Sequence, residues 1–231
     1  MNDAREAMLN RLRDAAPSQA RQTVPLPPFA RAADGDATLI DRFAAALERI
    51  GVTWEVTDTA VSARLYLVTS LQANAITRVL TWDAAQLPAP GLLDTMNVLG
   101  IETISPDLRA APPRMRPQDP DSRGDLLRSV ATIEVGIVAA EAGFADTGAL
   151  AVRGGKQRPL LAAYIPRRVV VLLPASNIFP ALSHWLANKA ADTGEVVTFL
   201  TGPSQSLDLE LISAAGIHGP RQVHVVIIGG I

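Results

Sequence analysis

The sequence predicts an α/β protein whose parallel sheet is covered by helices. Three observations carry that prediction. Hydrophobic residues fill 48% of the 231 positions, as strands buried on both faces require. From residue 37 onward, short apolar runs of strand length alternate with longer segments of helical period. That alternation is the pattern of βαβ units, and a chain of this length buries roughly 70–75% of its unfolded surface without a disulfide or metal staple.

Residues 3–16 read as a short amphipathic helix, with Ala4, Ala7, Met8, Leu9 and Leu12 near one face and Arg5, Glu6, Arg11 and Arg13 around them. Pro17, Pro25, Pro27 and Pro28 then break the chain into a linker, so residues 1–28 form a helix on a tether, a candidate docking arm for a partner. A single domain is expected over residues 29–231. Leu39, Ile40, Phe43, Ala46, Leu47 and Ile50 have helical spacing, and Gly51 is a natural stop. Strands are expected at 52–56, 64–68, 77–82 and 100–104, with a helix at about 91–98. Residues 105–125 carry five prolines, four Arg and four Asp and read as a Pro-rich loop, either a lid or a plain connection. Strands follow at 132–139, 148–152, 167–173, 196–200 and 223–228. Helices are expected at 157–164 and 177–189, the second with Ile178, Leu182, Trp185 and Leu186 inward.

Composition excludes several function classes. Aromatics at 4% and a net charge of −2 argue against a stacking platform or a phosphate-backbone binder for nucleic acid. With no cysteine, the chain's own thiolates hold no iron–sulfur cluster and supply no nucleophile. With three His, a zinc site is not expected, and no metal is assigned. No apolar run reaches the length of a membrane span, and the charged N-terminus lacks an apolar signal-peptide segment, so a cytoplasmic protein is expected. No Gly-x-Gly-x-x-Gly or Gly-x-Ser-x-Gly occurs, and Gly154-Gly155-Lys156 lacks the hydroxyl residue of a phosphate loop.

Polar chemistry concentrates in three places. After the apolar run 195–200, a Gly202-Pro203-Ser204 turn opens a new element carrying Asp208 and Glu210. If that element is a helix, its free N–H groups favour an anion, and the carboxylates orient hydroxyls or act as base. Equally, Ser at a cap and acids in a first turn are ordinary helix-start chemistry, and Leu207, Leu209 and Leu211 alternate as in a strand. Asp146-Thr147-Gly148 exposes a carboxylate, a hydroxyl and bare backbone together, or is a hairpin in which Asp146 bonds locally. One Asp-Thr-Gly in an α/β chain does not make an aspartic protease, which needs two in an all-β fold. His218, before Gly219, sits in a turn where it meets solvent or ligand, whereas His184 and His224 read as structural.

In their order and spacing, Ala145-Asp146-Thr147-Gly148, Thr201-Gly202-Pro203-Ser204…Asp208-Leu209-Glu210 and Gly216-Ile217-His218-Gly219-Pro220 resemble the signature of the LUD-domain family, nearest its lactate utilisation protein C type. The resemblance covers most of the chain and is strongest from about residue 130. It implies a three-layer α/β/α sandwich with a mostly parallel sheet, like the sugar-phosphate isomerase and CoA-transferase superfamily. It also implies a role in oxidising L-lactate to pyruvate, with iron–sulfur clusters carried by partner proteins and no cofactor in this chain. By the same match, Asp208, Glu210 and His218 are the candidate catalytic groups. Asp146, Thr147, Gly148, Gly202, Pro203, Ser204 and Gly219 are the ligand-binding candidates, for a small anionic metabolite. One departure stands out: Gln205-Ser206-Leu207 replaces the basic residue and Thr-Ala usual in the family, which removes a charged contact to an anion. The alternative reading is a stand-alone enzyme or ligand-binding protein for a small phosphorylated or acyl metabolite.

Overall fold

Thr38 starts the first helix of the main body with a capping box: its hydroxyl accepts from the Asp41 N–H at 3.2 Å while its own N–H donates to the Asp41 carboxylate at 3.0 Å. The helix Leu39–Arg49 (α2) then buries Phe43, Ala44, Ala46 and Leu47 on one stripe. The computed structural model describes residues 2–14, 38–107, 120–187, 196–207, 213–215 and 219–231. The chain divides into two units, residues 1–35 and 36–231. In the first, Asn2–Asp14 is a helix (α1) with Met8 and Leu9 exposed; the expected linker lies outside the described residues.

In the second unit α2 is followed by Thr53–Thr57 (β1), Ala60–Ala73 (α3), Arg78–Thr81 (β2), Leu92–Val98 (α4) and Glu102–Ile104 (β3). Then come Pro120–Ala131 (α5), Val135–Ala139 (β4), Ala142–Phe144 (β5), Leu150–Arg153 (β6), Leu161–Tyr164 (α6), Arg168–Pro174 (β7) and Ile178–Phe179 (β8). The chain closes with Leu182–Ala187 (α7), Val197–Leu200 (β9), Gln205–Leu207 (β10), Ser213–Ala215 (β11) and Gln222–Ile228 (β12).

The central sheet has the order β1-β12-β7-β4-β2-β3, and every pairing in it is parallel. Helices flank it, with α2 and α3 against β1, α3 also against β12, α4 against β3 and α6 against β4. This is the α/β architecture that the alternation predicts. The last strand lies between the first and β7, so β12 is enclosed on both sides, and its Val225, Val226, Ile227 and Ile228 are fully buried. A smaller sheet, β8-β5-β6-β9, mixes one parallel with two antiparallel pairings, and β10 and β11 form a separate hairpin. The smaller sheet has its own apolar cluster around Phe144 and Trp185. Among the described residues, no helix is long and apolar enough to cross a membrane.

Four local expectations are corrected. The expected strand at 64–68 is part of α3, whose buried Ala63, Leu67, Val68 and Leu71 follow helical period across fourteen residues, although five residues alone look extended. The Pro-rich segment 105–125 does not stay a loop to its end: α5 begins at Pro120, and proline is favoured in the first helical turn, where its missing N–H costs nothing. Residues 108–119 lie outside the described set. The expected helix at 177–189 is only α7, because Pro180 forces Phe179 into extended backbone. Ile178 is therefore in β8, where it is buried as expected, Trp185 is buried in α7, and Leu182 and Leu186 are 38% and 55% exposed. The expected helix at 157–164 shrinks to α6, since Gly155 to Arg158 closes a tight bridge with Gln157 at φ 67°.

Candidate functional site

The sequence motifs meet at the carboxyl end of α2. The Asp146-Thr147-Gly148 segment turns the hairpin from β5 to β6, with the Gly148 N–H donating to the Phe144 carbonyl at 2.8 Å. Thr147 donates to the Asp146 carboxylate at 3.2 Å and accepts from the Ala149 N–H at 3.3 Å, so its hydroxyl is spent inside the turn. Arg49 at the end of α2 donates to the Asp146 carbonyl at 3.0 Å. Gly148 has φ 75°, and a Cβ there would fall 2.8 Å from the Ala46 carbonyl oxygen. Gly202 has φ 115°, and its Cβ would fall 2.8 Å from the Ile50 carbonyl oxygen. Two loops more than fifty residues apart thus need bare backbone because both press on the same helix end.

The third motif joins them. The Ser204 N–H donates to the Pro220 carbonyl at 2.7 Å, and Gly219, at φ 84°, sits against the Ser204 side chain. Asp146, Thr147, Gly148, Gly202, Pro203, Ser204 and Gly219 are therefore drawn around one helix end and one strand entrance. The element after Ser204 is β10, not a helix, so the expected anion seat at a helix N-terminus is corrected. Asp208, Glu210 and His218 lie outside the described residues.

Chain direction carries these turns into a cavity. Ile50 leads into Gly51, and Pro220 leads into Arg221 and Gln222; Gly51, Arg221 and Gln222 line a cavity of about 470 Å³ at the amino ends of β1, β12, β7 and β4. One wall is α3, through Tyr66, Ser70, Leu71 and Asn74. The parallel register sets Arg168 beside Gln222, and Val170 beside His224 and Thr53. Alternation along each strand turns these residues to the same face. A shallower recess of about 180 Å³ shares Arg168, Arg221 and Gln222 with the cavity and adds Arg167 and Glu134.

Inside the cavity a hydrogen-bond chain is built. His224 Nδ1 lies 2.9 Å from Thr53 Oγ1, and its Nε2 lies 3.0 Å from the Tyr66 hydroxyl. Thr53 also reaches the Val223 carbonyl at 3.4 Å. Either neutral tautomer of the imidazole satisfies both ring contacts, one nitrogen donating and the other accepting. Burial, partly opposed by the nearby Glu55 carboxylate, holds His224 below its ordinary value of 6.5. Burial and Glu55 together push the Tyr66 phenol up. The rings also stack, 5.7 Å apart at 30°.

At the mouth, the exposed Arg167, Arg168 and Arg221 side chains have no hydrogen-bond or ion-pair partner among the described residues. Sequence reasoning passed over this site. Tyr66 was hidden by the strand expected at 64–68, and His224 looked structural. One signal was available: two of the most apolar strands each open on arginine, Arg167-Arg168-Val169-Val170-Val171 and Arg221-Gln222-Val223. Parallel neighbours place such residues on one edge. Among the described residues no three His, Asp or Glu side chains converge as a metal site.

A parallel-sheet α/β body with two Gly-marked turns on one helix end and a third joined to them through Ser204 defines the class. A profile of the LUD domain matches residues 40–228, and the chain belongs to the LUD domain family. Lactate utilization protein C of Geobacillus thermodenitrificans is 25% identical over 100 residues, 41% of this chain and 42% of that protein. The uncharacterized protein YkgG of Escherichia coli is 29% identical over 117 residues, 48% of this chain and 50% of that protein. The match thus spans about half the length of these relatives or less. The crystal structure of a DUF162 family protein from Deinococcus radiodurans superposes with a TM-score of 0.58 at 16% identity, covering 83% of this chain and 96% of that one. At that identity the likeness establishes the fold.

Proposed function

We propose that this chain is a component of a lactate-utilisation system, acting with iron–sulfur partner proteins that oxidise L-lactate to pyruvate. The observation that carries the reading is family membership across residues 40–228, joined to relatives named lactate utilization protein C. The absence of cysteine assigns the clusters to the partners. Electrons from a 2-hydroxy acid then leave through those partners, and this chain contributes binding and positioning. The three motif turns form the family's part of the site, and Asp208, Glu210 and His218 supply its titrating groups.

The test is deletion of the gene in its host, followed by growth on L-lactate and lactate-dependent dye reduction in extracts. The proposal expects growth and dye reduction to fail and to return with the intact gene. Return with an Asp208→Asn, His218→Ala double variant as well would make those two residues structural. Unchanged growth on L-lactate after deletion would refute the proposal.

A second reading, a stand-alone protein for a larger phosphorylated or acyl metabolite, is favoured by one observation. A cavity of about 470 Å³ is of the size that takes drug-sized ligands, far more than a three-carbon acid fills. It expects the isolated chain to bind or turn over such a metabolite with no partner added.

A further inference from the structure

We propose that the cavity at the amino edge of the central sheet is the ligand site, holding a hydroxylated organic anion by its oxyanion head on Arg168 and Arg221 and by a hydroxyl on Tyr66. The inference deepens the lactate-utilisation reading and takes from it only the choice of a hydroxy acid as first probe. Its basis is separate, and lies in which charges the fold satisfies.

Arginine forks are made for two-pronged contact with carboxylate or phosphate. Elsewhere in the molecule arginines meet carboxylates internally: Arg78 holds Glu102 by one contact at 3.0 Å, and Arg153 grips Glu141 with two nitrogens. Arg168 opens one of two adjacent parallel strands and Arg221 immediately precedes the other, whose Gln222 pairs with Arg168, so both line the same cavity mouth. Among the described residues neither is ion-paired, and although Glu134 lines the adjoining recess with them it forms no ion pair with either. Unpaired guanidinium groups at one mouth attract an anion.

Behind the head, the cavity divides by chemistry. Leu71, Ile76 and Val170 offer an apolar wall. The Tyr66 hydroxyl is held by His224 at 3.0 Å, and its remaining hydrogen-bond capacity is available to a ligand hydroxyl in the cavity that Tyr66 lines. The His224 and Thr53 bonds fix that oxygen in place, so His224 is a positioning residue. An anionic head, a hydroxyl and some neutral body are the features this wall selects. Carboxylate and phosphate share the head chemistry, and the experiment separates them.

The full chain is titrated calorimetrically with L-lactate, 3-phenyl-L-lactate and inorganic phosphate, together with 3-phenylpropionate, which lacks the hydroxyl. Saturable binding of at least one of the first three is expected. It should weaken tenfold or more in Arg168→Gln, Arg221→Gln and recover in part in the Lys, Lys variant, which keeps charge without the fork. Arg78→Gln, outside the cavity lining and paired with Glu102, should bind as the wild type. Tyr66→Phe should cost the hydroxy acid more than its deoxy analogue. Circular dichroism of each variant confirms folding, which exposed arginines do not control. Binding indifferent to both arginines, or none of the three probes bound, overturns the site. Arginine-dependent binding of phosphate alone upholds the site with a phosphate head and removes its link to lactate. Loss of growth on lactate after gene deletion, with no probe bound, leaves the lactate reading standing and the cavity proposal refuted.

Discussion

The smaller sheet and the amino edge of the central sheet treat charge in opposite ways. In the smaller sheet Arg153 is 6% exposed and is held by Glu141 through contacts of 2.6 and 3.3 Å. Around it, Phe144, Trp185 and Phe199 meet at ring distances of 5.9 to 6.4 Å. Every charge in this description has its counter-charge. At the amino edge Arg168 and Arg221 lie exposed beside a cavity, and neither has a partner among the described residues. A satisfied charge serves the fold, whereas grouped unsatisfied charges cost stability or nothing and are kept for a ligand. Variants in the two regions should therefore separate stability from binding.

The largest loss of stability is expected from Phe144→Ala in the smaller sheet. A fully buried ring removed from an aromatic cluster costs about 3–5 kcal/mol, read as the shift of the urea midpoint. Next is Arg153→Met, at about 3 kcal/mol, because it strands the Glu141 carboxylate in a partly buried place. A cost below about 1 kcal/mol would show that water satisfies Glu141 and would weaken the contrast. Gly148→Ala should cost about 2 kcal/mol, combining strain at φ 75° with a contact of 2.8 Å to the Ala46 carbonyl oxygen.

A smaller effect belongs to His224 and has a fixed sign. Burial favours the neutral ring in the fold, so the unfolded chain takes up a proton first as pH falls through its ordinary value of 6.5. The contribution is fully present above 6.5 and is lost progressively below it. Glu55 opposes the shift and moderates the loss. Thermal unfolding at pH 7.5 and 5.5 should show a drop in wild type that is reduced in His224→Gln. The smallest effect is expected from Arg168→Gln with Arg221→Gln, within about 0.5 kcal/mol in the absence of ligand, despite the tenfold loss of binding expected from the same pair.

How legible all this was in the sequence follows from how local each signal is. The strands β7 and β12 were plain, because a strand buried on both faces is a continuous apolar run. The Asp146-Thr147-Gly148 hairpin was legible as one of two stated readings, because its bonds lie within four residues. The helix α3 was lost to a five-residue window that alternates, and of the smaller sheet only β6 and β9 were foreseen as strands, since β5 and β8 are three and two residues long. The cavity was out of reach for a different reason. Tyr66 and His224 are 158 positions apart and meet only because the last strand is inserted between β1 and β7. The gathering of the motif glycines on α2 needed the same knowledge of topology, whereas their turn character did not.

The most direct test of the central claim is a crystal structure of the full chain grown with 3-phenyl-L-lactate. The account predicts the acid in the cavity between α3 and the entrances of β7 and β12, its carboxylate within hydrogen-bond distance of Arg168 and Arg221 and its hydroxyl on Tyr66. An empty cavity at saturating acid would contradict the hydroxy-acid reading of the site, and the acid bound in the smaller sheet would contradict the site itself.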